Sequence, residues 1–163
     1  MISIPLTKGK LAVIDDEDQR FARFRWYAQY GDGRWYAARR KGSGIVFLHR
    51  EVMGLPGKKK IDHRDGNGLN CQRANLRVAT TAQNAANQKR RVDNSTGFKG
   101  VSWDGRGRGR WRAQIKVQGK NTHLGGYSSA EDAALAYDAA ARKAFGKFAA
   151  LNFPMAMERA AAA

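Results

Sequence analysis

Apolar and polar positions alternate through the first fifty residues between turn signals, in the runs "IPLTKGKLAVID", "FRWYAQYGDGRWYAARR" and "GIVFLHR". A period of two sends successive side chains to opposite faces of an extended chain, so these runs predict strands with one buried face. Asp32-Gly33 sits between two aromatic runs, and this dipeptide tolerates the positive φ angles that a two-residue hairpin turn demands. Three or four antiparallel strands are expected, with Trp26, Tyr27, Trp35 and Tyr36 partly in the core.

The period then changes. A basic run, Lys58 to Lys60, follows Pro56, and after it come "IDHRDGNGLN" and a short strand-like "LRVA". "ATTAQNAANQKRR" predicts a helix over 79–91, capped by Thr80 or Thr81, with its cations at the C-terminal end where the helix dipole favours them. "VDNSTG" has no apolar period, and 93–97 is read as a linker. Beyond it, "RWRAQIKV" alternates strictly: Trp111, Ala113, Ile115 and Val117 point one way, and Arg110, Arg112, Gln114 and Lys116 the other. Ser128 and Glu131 have capping-box spacing before an alanine-rich helix that Gly146 stops. Small alanine side chains let such a helix lie close against a sheet. The final alanines of a 155–163 tail are low in complexity.

Charge narrows the partner. The chain has 163 residues and a formal net charge of +16, with 30 Lys and Arg against 14 Asp and Glu. The excess is shared: residues 1–92 carry +11 and 93–163 carry +5. A folded chain that tolerates such self-repulsion calls for a polyanion, and nucleic acid is the commonest. No long apolar run or signal-peptide pattern appears, so a cytoplasmic protein with no membrane partner is expected. Cys71 is the single cysteine, which excludes an internal disulfide and argues against structural zinc.

Within this basic chain, Asp62 and His63 stand side by side before the Gly66-Asn67-Gly68 turn, with Asn75 and Asn84 further along. A strand ending in Asp-His, a loop, a second strand and a helix would gather a carboxylate, an imidazole and carboxamides, the groups that metal-assisted hydrolysis uses. An isolated histidine is more often an ordinary buried imidazole; the company of these groups favours chemistry. Residues from about Leu48 to Gln88 resemble the HNH endonucleases, particularly the phage and intron homing-type members with a ββα-metal motif, here spanning about 58–90. The resemblance implies that His63 is the general base, that Asn75 braces the loop, and that Asp62 and Asn84 ligate one divalent ion. Many members carry a final His where this chain has Asn84. A carboxamide oxygen is a hard neutral donor suited to Mg2+ or Mn2+. Arg50, Lys59, Lys60 and Arg64 are candidates for holding the DNA backbone, or else form a solvated charged face. His49 is read as structural.

"GFKGVSWDGRGRGRWRAQIKVQGKNTHLGGYSSAEDAALAYDAAARKAFGKFAALNFP" is similar to the plant Apetala or ethylene-response-factor type of DNA-binding domain, through "KGV", "RWRAQI", "HLGGY", "AEDAALAYDAAA" and "LNFP". That likeness implies three antiparallel strands packed on one helix, with the sheet in the major groove. Lys99, Arg110, Arg112, Gln114 and Lys116 are then the expected DNA contacts, and only those that reach base edges can confer sequence choice.

The expectation is therefore an α+β chain: a nuclease domain over 1–92, a linker over 93–97 and a DNA-binding domain over 98–154. It is a metal-dependent, homing-type DNA endonuclease that nicks one strand of duplex DNA as a monomer. A non-catalytic DNA-binding protein on a decayed nuclease fold is the alternative, and an RNA-binding basic protein is a weaker third.

Overall fold

The N-terminal run forms a hairpin: β1 (Ile2–Pro5) pairs antiparallel with β2 (Leu11–Ile14), Ile2 opposite Ile14. The chain reverses within "LTKGK", where Lys8 and Gly9 have φ of 60° and 63° and the Leu6 amide donates to the Lys10 carbonyl. A second sheet contains β3 (Tyr27–Gly31), β4 (Arg34–Lys41) and β5 (Gly44–Phe47), paired antiparallel in that order. Asp32 and Gly33, at φ of 50° and 74°, turn β3 into β4 with Gly31 opposite Arg34. Positive φ at both central residues matches the right-handed twist of the flanking strands. Five strands thus occupy this region rather than three or four, because the first alternating run contains a reversal and makes two strands.

Helix α1 (Leu48–Met53) ends at Gly54, whose φ of 59° is the left-handed close that glycine makes without strain. Strand β6 (Lys60–His63) pairs antiparallel with β7 (Leu76–Ala79), and α2 (Thr81–Ala86) follows. Ile14, Leu48 and Val52 are fully buried in the first core, with Trp26 beside them and Trp35 and Ile61 packed against it. Complete burial of such an aliphatic side chain contributes about 2 kcal/mol. Polar ties close this core: Val13 donates to the Leu69 carbonyl and accepts from the Cys71 amide, at 2.9 and 2.8 Å.

The computed structural model describes residues 1–55, 59–88, 94–105 and 110–154. The chain divides into two compact units, Met1–Thr81 and Ala82–Ala163. Lys58, the expected helix end at 89–91, the first residue of the expected linker, the turn at 106–109 and the tail at 155–163 lie outside the described residues.

In the second unit, β8 (Val101–Asp104), β9 (Arg110–Val117) and β10 (Lys120–Tyr127) form an antiparallel sheet in the order β10-β9-β8. Helix α3 (Ala130–Phe145) lies on one face. Ala113 meets Ala133 and Ala134, all fully buried, so small side chains on both elements set the close approach. The helix is capped one residue later than the expected box: Ser129 Oγ accepts from the Asp132 amide at 3.0 Å and donates to its carboxylate at 2.7 Å. Residues 94–97 are tied to this unit, with Asn94 Nδ2 donating to the Phe98 carbonyl and Thr96 Oγ1 to that of Val101. The architecture is α+β, with antiparallel sheets and few helices.

Candidate active site

Strand β6 ends in Asp62 and His63, and both are almost fully buried, at 1% and 2% exposure. Consecutive strand residues face opposite ways, so the two enter different surroundings. Asp62 lies across the ladder from Arg77 and accepts from it at Oδ2, from Nε at 2.8 Å and Nη2 at 2.7 Å. This is a buried, charge-assisted pair. His63 enters an aromatic pocket: its ring centroid is 6.0 Å from Tyr36 and 5.0 Å from His49. His49 in turn stacks on Phe47 at 5.6 Å, and its Nδ1 is buried without a hydrogen-bond partner among the described residues.

Burial dominates the electrostatics of both imidazoles. It pulls His63 down to about 4, outweighing the upward influence of Asp65 and Asp62, while Arg34 adds to the depression. His49 falls to about 3 through burial, with His63 and Arg50 contributing. Both rings are neutral at neutral pH, and a neutral imidazole can accept a proton.

The loop after His63 is closed by its own side chains. Asn75 donates from Nδ2 to Asp65 at 3.0 Å and to the Asn70 carbonyl at 2.8 Å, and its Oδ1 accepts from the Asp65 amide at 3.1 Å. Asp65 also accepts from the Asn67 amide and from Asn70 Nδ2. Burial works upward on the Asp65 carboxyl, but these hydrogen bonds hold it below the ordinary carboxylate value. The loop lies against β4 so closely that a Cβ on Gly68 would stand 2.5 Å from the Trp35 carbonyl oxygen and 2.7 Å from the Tyr36 ring. The N-terminal hairpin holds its far end: Gln72 and the Arg73 amide donate to Asp15, and the Arg73 guanidinium to the buried Asp18.

The remaining expected residues fall in different settings. Asn84 is half-buried on α2, in the second unit. Arg50 donates to the Lys59 carbonyl at 2.8 Å and so pins the entry to β6, while Lys59, Lys60 and Arg64 are exposed. Arg110, Arg112, Gln114 and Lys116 are exposed on the sheet face opposite α3, and Arg112 Nε donates to His123 Nδ1 at 3.3 Å. Lys99 departs from the expected DNA contacts. Its Nζ donates to the Ala86 and Gln88 carbonyls, both at 2.6 Å, and burial pulls it down to about 8, so its charge is spent on the protein.

Among the described residues no three His, Cys, Asp or Glu side chains gather to hold a metal. Asp62, buried and bound by Arg77, and Asn84, in the second unit, each carry an oxygen donor of the type that Mg2+ or Mn2+ takes. Cys71 is buried and its thiol is pushed up to about 12, so it is inert. Asp65 and Arg77 were not among the residues singled out from the sequence, while Tyr36 was expected to be partly core and His49 structural, neither as part of the site. Pairing Ile61 with Val78 would have found Arg77, and the Asp-Gly-Asn turn pattern points to Asp65; no local signal marks Tyr36 or His49.

The segment that carries β6, the loop, β7 and α2 also carries the family likeness. Residues 48–86 match the HNH endonuclease family model. The chain is 29% identical over 152 residues, 89% of this chain and 76% of the other, to a protein named "Uncharacterized HNH endonuclease L560" from Acanthamoeba polyphaga mimivirus. "Protein 3.8" of Escherichia phage T7 is 41% identical over 66 residues, 40% of this chain and 54% of that one. A rice protein, "Dehydration-responsive element-binding protein 2E" of Oryza sativa subsp. japonica, is 47% identical over 57 residues, 34% of this chain. The chain thus spans about half of the phage relative and 18% of the rice one. No solved structure matches. The HNH model and the mimivirus relative support a nuclease acting on nucleic acid. Among the described residues no helix is long and apolar enough to cross a membrane.

Proposed function

We propose that this chain is a divalent-metal-dependent HNH endonuclease of the homing type that nicks duplex DNA. The observation that carries the reading is His63: a neutral, buried imidazole at the end of β6, over a loop closed by Asn75, inside the HNH-matching segment. As general base, His63 takes a proton from the attacking water. The water oxygen bonds to phosphorus, the P–O3′ bond breaks, and the 3′ oxygen takes up a proton, leaving 5′ phosphate and 3′ hydroxyl ends. Asn75 keeps the loop in place beneath His63. Asp62 and Asn84 would hold one Mg2+ or Mn2+, which would supply stabilisation of negative charge on the phosphate and leaving oxygen.

Arg50, Lys59, Lys60 and Arg64 belong to the nuclease domain, taken as 1–92, and there support the backbone. The 98–154 domain holds DNA through Arg110, Arg112, Gln114 and Lys116, with Lys99 as an internal tie instead. One copy of the site per chain suits a monomer that cuts one strand, in the cytoplasm of a bacterial or phage-infected cell. The test is supercoiled plasmid with protein and magnesium, with and without chelator. Open circles should accumulate before linear molecules, and His63→Ala should lose cleavage while a mobility shift persists, because many phosphate contacts supply the affinity. The ion pair between Asp62 and Arg77 favours a second reading, a DNA-binding protein on a decayed nuclease fold. DNA binding without metal-stimulated cleavage would establish it.

A further inference from the structure

We infer that Arg34, at the start of β4 and outside the HNH-matching segment, is a binding residue for the scissile phosphate at the His63 site; the inference rests on the nuclease reading above. Three observations converge on it. Arg34 and Tyr36 are two apart on one strand, so they share a face, and it is Tyr36 whose ring lies 6.0 Å from His63 and 5.7 Å from His49. The catalytic loop lies directly on this stretch, since Gly68 has no room for a Cβ between the Trp35 carbonyl and the Tyr36 ring. Across the hairpin from Arg34 stands Gly31, which has no side chain to cover the guanidinium.

Four other arginines around this fold are already engaged, while Arg64, next to His63, is exposed to solvent. Arg77 binds Asp62, Arg50 binds the Lys59 carbonyl, Arg39 binds Glu51, and Arg73 binds Asp18 and Glu17. Arg34 is half-buried and makes no hydrogen bond or ion pair among the described residues. A phosphodiester facing His63 carries a negative charge and two non-bridging oxygens, and a planar guanidinium meets two such oxygens in parallel. A cation held in a partly dry site also gains on the transition state, where charge on those oxygens grows.

The test uses the full chain and a duplex oligonucleotide containing a mapped cleavage site, with Arg34→Ala, Arg34→Gln and Arg34→Lys compared by two readouts. At saturating protein, the single-turnover cleavage rate should fall about 100-fold in the Ala and Gln variants, the scale of removing one transition-state donor, and recover in part with Lys. In a His63→Ala background, anisotropy titrations across salt concentrations should show the log K against log salt slope reduced by about one in Ala and Gln and kept in Lys. An unchanged rate or an unchanged slope in a folded variant overturns the inference. So does a chain that folds with Lys but not with Ala or Gln, which would make Arg34 structural. If the unmodified chain cuts no DNA, the nuclease reading fails by itself, and the oligonucleotide slope still decides whether Arg34 holds phosphate.

Discussion

The imidazole of His49 meets that of His63 edge to face, their centroids 5.0 Å apart and their planes at 79°. Neither ring can charge cheaply, because both are buried and each would bring a cation next to the other.

That pair makes stability depend on acid. Both rings titrate near 6.5 when unfolded, and near 3 and 4 in the folded chain. Between these values the unfolded chain binds more protons than the folded one, so stability is full above about pH 7 and falls as pH drops from 6.5 towards 4. Thermal melts followed by circular dichroism should show a midpoint that is flat above neutrality and declines below it. His49→Phe, which keeps the stacking partner of Phe47, should make that decline shallower; an equally steep decline would place the acid sensitivity elsewhere.

The buried Asp62–Arg77 pair predicts an asymmetry. Arg77→Met leaves a carboxylate buried without its guanidinium, and removing one partner of such a pair costs about 3 kcal/mol. Asp62→Leu combined with Arg77→Met removes both charges and should recover most of that loss in urea unfolding. A double variant no better than the single one would show that Asp62 is stabilised chiefly by something other than Arg77.

Asn75 is predicted to act locally. Asn75→Ala removes two donated bonds and one accepted bond that join Asp65 and Asn70 to β7. Each unmade bond costs about 1 kcal/mol. Amide exchange at Asp65 and Asn67 should accelerate markedly while the amides of β9 keep their protection. Uniform acceleration would mean that Asn75 supports the whole fold rather than the loop.

Two glycines are predicted to fail for different reasons. Gly68→Ala places a methyl 2.5 Å from the Trp35 carbonyl and should lower stability by more than about 2 kcal/mol, with loss of cleavage because the loop must lift. Gly33→Ala meets nothing within 4 Å and suffers only its φ of +74°, a cost of about 1 kcal/mol. Comparable melting points for the two variants would contradict this account.

What the sequence by itself determined is whatever rests on near neighbours along the chain. The Asp32-Gly33 hairpin, the two faces of β9, the strand "LRVA" and the arrest of α3 at Gly146 follow from local periodicity and turn chemistry, because period and φ preference act over a few residues. The same locality explains the misplaced cap: Ser128 and Ser129 both have an acid three positions on, and in the fold it is Ser129 that accepts from the helix. Tertiary structure decided the surroundings of the candidate site. His49, Tyr36 and His63 come from three separate elements, and Asp62 meets Arg77 through a ladder closed across the intervening loop. Lys99 was indistinguishable from a DNA-binding lysine until its ammonium was found on the carbonyls of Ala86 and Gln88. Desolvation and pairing depend on what the whole fold brings within a few ångströms, and no window of sequence records that distance.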